Sequence, residues 1–300
     1  MARSFPPDVI VLDLDSFVHA RLAAGKKGPR IEQAKSFRLA ADTFVPGLVT
    51  PELANEAALA DGLRRMKMET GRWDKVSVLL PDAWFRMNLL ELQSLPDKQA
   101  EAADMVRWSL KRTLPIDPAD LRVAYDVLHK EAGNVKLFVL SALEKTLAAI
   151  EQVFANAGLE VVLIEPVGLN IWNAIAVRET ATSRDRLFLY VRETDFTTAV
   201  FRGAQPLFIR SRNLNAERTL QQEIRLSASY LRDTLQAGGF ESCYIAGNRL
   251  GGDFQRAVAE EFAAPVRTVG VEDFVEGAPQ GVAVADYDAE LAACTGVFTG

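Results

Sequence analysis

Short runs of apolar, β-branched residues recur along this chain, and they constrain its fold more than any other feature. Val9-Ile10-Val11-Leu12 and Val161-Val162-Leu163-Ile164-Glu165 are too short for helices and lack the polar alternation of a half-wetted strand. Such runs belong to strands buried on both faces, covered by helices in an α/β architecture. Each meets a turn signal or an acidic residue at its end, so the chain must reverse or cross over there.

The first run ends in Asp13-Leu14-Asp15-Ser16, and Phe17 to Leu22 returns as a hairpin partner. Beyond the polar stretch Gly25 to Gly28, Leu59, Leu63 and Met66 mark a helix over Asn55 to Met68. Val76 to Leu80 reads as a strand, Pro81-Asp82 as a turn and Trp84 to Leu90 as its hairpin partner. Pro96 precedes a helix over about Asp97 to Arg112, with Ala102, Met105, Val106, Leu110 and Thr113 along one side, stopped by Pro115 and Pro118. Strands over Arg122 to Val127 and Val135 to Leu140 flank Gly133-Asn134, and a helix over Leu143 to Ala157 ends at Gly158. Val161 to Glu165 is another buried strand, followed by a helix over Gly168 to Val177.

Arg178 to Asp185, with Thr180, Thr182 and Ser183, reads as a linker, after which the pattern restarts. Leu187 to Val191, Thr197 to Phe201 and Pro206 to Ser211 form an antiparallel meander. A helix over Ala216 to Ala237, a strand over Ser242 to Ala246, a helix from Gly251-Gly252 to Phe262 and a strand over Val266 to Val269 complete it. Both halves follow one grammar, which predicts two β-β-β-α-β-α units facing each other across a cleft.

Composition narrows the function. With 34 Lys and Arg against 40 Asp and Glu, the formal charge is −6, which gives no global attraction to nucleic acid. Cys243 and Cys294 lack CxxC spacing, and with only His19 and His129 available neither a zinc site nor a disulfide scaffold is expected. The longest apolar candidate, Val135 to Ile150, is broken by Glu144 and Lys145, and the apolar run at Val9 is too short for an export leader. Membrane association is therefore expected only through a partner.

Asp13 and Asp15 at a strand end are the sharpest chemical signal. Two carboxylates one residue apart can hold Mg²⁺, and "VLDLDSF" resembles the opening of haloacid-dehalogenase-type phosphatases and of lesion-bypass DNA polymerases. The same residues also serve merely to close a strand. The chain carries no phosphate-binding GxxxxGK[ST] or GxGxxG loop, no GxSxG elbow and no HExxH helix. His19 and His129 read as structural or solvent-facing, and Trp73, Trp84, Trp108 and Trp172 as packing residues. Arg107 and Lys111 are spaced to sit together on a helix and suit an acidic partner.

The middle of the chain, "LLELQSLPDKQAEAADMVRWSLKRTLPIDPADLRVAYDVL", resembles the inserted subdomain of PilM-type actin-like proteins of type IV pilus assembly, with the turn Leu114 to Asp117 and the Tyr125-Asp126 strand. "FVLSALEKTLAAIEQVFANAGLEVVLIEPVGLNIWNAI" is similar to that family's next strand, helix, acidic strand end at Glu165 and following helix. "PLFIRSRNL" and "QQEIRLSASYL" look like its f-x-R strand and its EiqRS-x-x-y helix, carried by Arg210, Glu223, Arg225, Ser227 and Tyr230. "CYIAGNRLGGDFQRAVAEEFAAPVRTV" resembles the closing strand, Gly turn, helix and strand. The likeness runs from about Val9 to Val269, with a further helix near Gly296, and extends to GspL-type secretion proteins and FtsA-type division proteins.

This resemblance implies an actin-like, ribonuclease H-like α/β fold of duplicated β-β-β-α-β-α units. The first unit is expected over 1–183, interrupted by an inserted strand-helix-strand-strand α+β subdomain at about 74–142, and the second over 184–300. It also implies a nucleotide cleft at Asp13, Asp15, Ser16, Thr194, Thr197, Glu223, Gly247 and Asn248. The family's first phosphate hairpin is Asp-Ile-Gly; here it is Asp13-Leu14-Asp15-Ser16-Phe17. Glycine there lets backbone N–H groups approach phosphate, whereas Asp15 adds bulk and like charge, worth about 4 kcal/mol at 4 Å and an effective dielectric near 20. The second hairpin reads Arg192-Glu193-Thr194 before Asp195, so its acidic residue and glycine are both gone.

The expectation is a cytoplasmic, non-catalytic scaffold of a pilus or type II secretion-like platform, peripheral to the inner membrane through its partners. It would dock the cytoplasmic tail of a PilN-like or GspM-like inner-membrane protein, with Trp84, Arg86, Arg107 and Lys111 as groove candidates. No cofactor is expected. The alternative is an active ATPase or phosphotransferase with ATP and Mg²⁺, in which Asp13 and Asp15 hold the metal and Glu165 or Glu223 orients water. Monomer and homo-oligomer both stay open.

Overall fold

The computed structural model describes residues 5–45, 47, 50–112, 116–179, 183–203, 205–214, 219–235, 239–248, 250–277 and 286–299. In chain order these form β1 (Asp8–Leu12), β2 (Ser16–Ala24), β3 (Pro29–Arg38), β4 (Phe44–Val45), β5 (Glu52–Leu53), α1 (Glu56–Thr70), β6 (Lys75–Leu80), β7 (Arg86–Leu92), α2 (Gln99–Ser109), β8 (Leu121–Glu131) and β9 (Asn134–Leu143). There follow α3 (Glu144–Asn156), β10 (Glu160–Pro166), α4 (Val167–Arg178), β11 (Asp185–Val191), β12 (Asp195–Arg202), β13 (Gln205–Asn213), α5 (Leu220–Asp233), β14 (Ser242–Gly247), α6 (Gly252–Phe262), β15 (Val266–Thr268) and α7 (Asp288–Thr299).

Two five-stranded sheets share one topology. The first runs β3-β2-β1-β6-β10 and the second β13-β12-β11-β14-β15; in each, three strands form an antiparallel meander and two more continue parallel to its first strand. The unbroken apolar runs explain the layering. Along β1, Val9 and Val11 face a core between the sheets, while Ile10 and Leu12 face the layer of α1 and α3. Along β11, Phe188 and Tyr190 join the central core, while Leu187, Leu189 and Val191 face α5 and α6. Helices α4 and α7 fill the space between the sheets; α7 buries Leu291, Ala292, Ala293, Cys294 and Val297, apolar on most sides as a fully enclosed helix must be.

A third sheet, β7-β9-β8, is covered by α2 over its own small core of Val106, Leu110, Leu121, Leu137 and Val139. Its membership corrects the expected hairpin between Val76–Leu80 and Trp84–Leu90. Strand β6 lies parallel between β1 and β10, whereas β7 pairs with β9, so the inserted sheet takes its first strand at Arg86 and not near residue 74. Strand β6 is buried at five of its six positions, which suits the middle of a two-sided sheet. Strand β10 departs from expectation too: as the edge of its sheet it is only half-buried, with Val162 38% exposed. Strand β3, which alternates buried and exposed residues, has no counterpart in the sequence reading. Leu114 and Pro115 of the expected Leu114–Asp117 turn, Thr180 and Thr182 of the linker, and Ala216 and Ala237 at the expected helix ends lie outside the described residues.

Candidate functional site

The hairpins β1–β2 and β11–β12 have the same construction. In the first, the Asp13 N–H donates to Ser16 O at 2.8 Å and the Leu39 N–H donates to Asp15 O. In the second, the Arg192 N–H donates to Asp195 O at 2.9 Å and the Leu214 N–H donates to Thr194 O. Asp13 and Arg192 are thus equivalent positions, each following the last residue of its strand.

They carry opposite charges and meet. One Arg192 amino group donates to Asp13 Oδ2, and the other donates to Asp195 Oδ2 at 2.9 Å. Thr194 Oγ1 also donates to Asp195 Oδ2 at 2.9 Å, and the Leu14 N–H donates to Asp13 Oδ1 at 2.7 Å. Arg192 and Asp195 are buried, while the Asp13 side chain is about a third exposed. Burial opposes the guanidinium charge, but Asp195, Tyr190 and Asp13 outweigh it and hold Arg192 firmly protonated. Burial pushes the Asp195 carboxyl up, with Arg192 pulling the other way. Two further carboxyls stand nearby and burial pushes both up: Glu290 on α7, and Asp82 after β6, the latter to about 7. Asp82 Oδ1 accepts the Gly168 N–H at the start of α4 at 2.7 Å.

The remaining expected cleft residues are dispersed. Asp15 is exposed and accepts from the Ser16 hydroxyl at 3.0 Å. Thr197 is buried, its hydroxyl turned toward the Asp82 carboxyl. Glu223 is buried on α5, 3.8 Å from Arg210 of β13. Of the other residues of the f-x-R and EiqRS-x-x-y segments, Tyr230 and Ser227 pack α5 on this sheet, with the Tyr230 ring 5.4 Å from that of Phe208 and Thr198 bonded to Ser227 at 3.3 Å, whereas the exposed Arg225 pairs with Glu261 of α6. Gly247 has φ +129°, and a Cβ there would stand 1.8 Å from Val191 O; the Asn248 N–H donates to that same carbonyl.

Between the hairpins, Asp13, Ser16, Tyr190, Arg192 and Glu290 enclose a cavity of about 30 Å³. Small-molecule sites usually run to roughly 300–1,000 Å³, so this one has room for about a single water. A triphosphate laid there would have to displace the Arg192 guanidinium, and both Asp13 oxygens already hold donors that Mg²⁺ would have to replace. In this arrangement the residues between the hairpins do not fit a nucleotide with its metal. Among the described residues no group of three or more His, Cys, Asp or Glu is placed to hold a metal ion.

The expected docking residues do not converge either. Trp84 is a correction: it is buried, its ring 5.0 Å from Phe44, because the turn after β6 folds over the α1 side of the first sheet. Arg86 donates to the carbonyls of Ala83 and Phe85, and burial lowers its pKa. Arg107 donates to Leu121 O at 3.0 Å and pairs with Asp104, while Lys111 lies over the Trp108 ring at 5.1 Å. Trp108 is 58% exposed, so it is not a core residue. His19 is structural, buried with Nε2 2.8 Å from Asp8 and its ring stacked on Trp73.

Open space lies elsewhere. A groove of about 740 Å³ runs where the inserted sheet meets β10, α4 and the β12–β13 turn. Tyr125, Phe138, Leu169, Trp172 and Phe201 supply much of its apolar lining. Sequence reasoning expected a docking groove but assigned none of these residues to it, because its walls come from three separated parts of the chain.

Two matched sheets around a junction of equivalent hairpins define the actin-like ATPase fold, and this chain has that fold. It is similar to the solved PilM-PilN type IV pilus biogenesis complex, with 18% identity over 99% of this chain and 98% of that one and a TM-score of 0.80. It is also similar to the cytoplasmic domain of EpsL, an inner membrane component of the type II secretion system of Vibrio cholerae, at 10% identity over 98% and 94% of the two chains and a TM-score of 0.54. A Bacteroides thetaiotaomicron protein of actin-like ATPase fold and unknown function matches at 12% identity over 95% and 94%, with a TM-score of 0.53. No protein-family model and no curated protein matches the chain.

Proposed function

We propose that this chain is a non-hydrolysing actin-like scaffold of a type IV pilus or type II secretion-like assembly platform, docked to the cytoplasmic tail of an inner-membrane protein. The observation that carries this reading is the small space between the hairpins, about 30 Å³, set against an open groove of about 740 Å³ at the inserted sheet, one of at least two recesses of that volume among the described residues. A protein built to turn over nucleotide keeps its volume where the phosphates go. One built to hold an extended peptide keeps it in a groove lined by apolar side chains and strand edges. The likeness to a PilM-PilN complex over nearly the whole chain supports the second kind.

No helix among the described residues is long and apolar enough to cross a membrane, so in this reading the partner supplies the membrane link. The protein sits in the cytoplasm at the inner-membrane face, and Arg192 takes over between the hairpins the cohesive role that a nucleotide has in an ATPase.

Two measurements test this. The inner-membrane protein that supplies the tail is expected to co-purify with this chain from detergent-solubilised membranes. Calorimetric titration with ATP and Mg²⁺, followed by a phosphate-release assay, is expected to give neither heat of binding nor turnover. Turnover that disappears in Asp13→Ala would instead establish the ATPase alternative.

A further inference from the structure

The groove beside the inserted sheet is walled by two free strand edges. Among the described residues β10 pairs only with β6, and β8 only with β9. Consecutive residues of each, 123–126 of β8 and 163–166 of β10, line the groove. A sheet face would contribute alternate residues; an unbroken run is the signature of an edge, where peptide N–H and C=O groups stand ready for an added strand. Trp172, 3% exposed, forms part of the lining, and its indole N–H has no hydrogen-bond partner.

Charge selects the occupant further. Among the lining residues only Asp126 and Glu165 are ionisable carboxylates, and no Lys, Arg or His lines the groove with them. One stands on each edge strand. Glu165 is fixed by a bond from Asn170 Nδ2 at 3.0 Å. Burial pushes its carboxyl up, the Asn170 bond pulls it back, and the Asp126 charge on the other edge strand adds to the push. A cation between them removes the repulsion. Cytoplasmic flanks of membrane-spanning segments carry an excess of Lys and Arg, so a basic tail is the complementary ligand.

We infer that one Lys or Arg of the tail docked in this groove seats between Asp126 and Glu165, one carboxylate on each edge strand. This rests on the scaffold reading above and adds to it the chemistry of the anchor.

The test uses fluorescence anisotropy with a fluorescein-labelled synthetic peptide comprising the cytoplasmic tail of the membrane protein that co-purifies with this chain. Each Lys or Arg of the peptide is changed in turn to Gln. The protein carries Asp126→Asn with Glu165→Gln, or separately Ala124→Trp, which fills the groove from an exposed position without changing charge. The expected result is loss of binding in Ala124→Trp and a loss of about tenfold or more for the paired carboxylate variant. The same loss is expected for one particular basic residue of the peptide, with no further loss when peptide and protein changes are combined.

Binding abolished by Ala124→Trp but indifferent to every charge change would overturn the basic anchor and leave the docking groove standing. Binding indifferent to Ala124→Trp, or absent altogether, would overturn the groove and the scaffold reading with it. Self-association of the free protein that disappears in Ala124→Trp would assign the groove to a second copy of this chain and overturn the tail assignment. Circular-dichroism melts of all variants, expected to match the wild type, keep folding separate from binding.

Discussion

Asp13 and Arg192 stand at the same station of two repeated hairpins, 179 residues apart in the chain, and are bonded to each other across the molecule. The contact ties the two sheets together at their junction, and Asp195 completes it from inside the second hairpin. Removing one partner of a buried ion pair leaves an uncompensated charge, which typically costs about 3–5 kcal/mol. Arg192→Met keeps most of the volume and strands the buried Asp195 carboxylate, so its loss in chemical denaturation should fall in that range. Asp13→Asn, changing a side chain about a third exposed, should lose clearly less. Equal stability of Arg192→Met and wild type would mean that the staple contributes nothing to cohesion.

A second expectation concerns pH. Asp82 has its carboxyl pushed up to about 7 by burial, from 3.8 in a freely solvated chain. Between those values the folded protein holds a proton that the unfolded chain releases, so stability falls as pH rises through the window. The full effect is on the order of 4 kcal/mol, and it is complete above the folded value. Asp82→Asn retains the carbonyl that accepts the Gly168 N–H and removes the ionisation. Relative to wild type it should therefore gain stability between about pH 5 and about pH 8, measured as the difference between the two urea midpoints. A constant difference across that range would show that Asp82 does not titrate there.

Much of the layered architecture was legible because apolar runs such as β1, β11 and β14 need cover on both faces, although the equally apolar β10 is a half-buried edge. Val76 to Leu80 also read as a strand, yet proximity to Trp84 to Leu90 suggested a hairpin that the pairing of β6 with β1 and β10 excludes. Turn residues mark a reversal without saying which sheet receives the next strand. The loss of glycine and acid from the second hairpin was visible at Arg192-Glu193-Thr194. What replaced them was also readable in principle, since an Arg at the position matching Asp13 is a charge-complementary substitution between repeats. Asp82, Tyr190 and Glu290 gave no such signal, because only the tertiary fold brings them to the junction.

Trp84 separates packing from docking. With 3% of its surface exposed and Phe44 beside it, Trp84→Ala removes a buried aromatic and should cost about 3–5 kcal/mol. The groove residues lie elsewhere, so tail affinity per folded molecule should stay within a factor of about two of wild type, well under one tenfold step. Anisotropy titrations corrected for the folded fraction distinguish this from a docking role, in which affinity would fall with stability unchanged.

Gly296 tests the coupling between the core and the groove. In an exposed helix, Gly→Ala gains up to about 1 kcal/mol through propensity alone. At Gly296, however, a Cβ would stand 1.8 Å from Asn170 O, a backbone atom of α4 that cannot rotate aside. Gly296→Ala must therefore move α7 away from α4, and overpacking of this kind costs about 1–3 kcal/mol or more, outweighing the propensity gain. Helix α4, pushed the opposite way by the same contact, carries Asn170, which holds Glu165, and Trp172, which lines the groove. The variant should accordingly lose both stability and tail affinity, whereas Trp84→Ala loses only the first. Denaturation and anisotropy on the two variants side by side check this, and unchanged affinity in Gly296→Ala would show that α4 does not transmit strain to the groove.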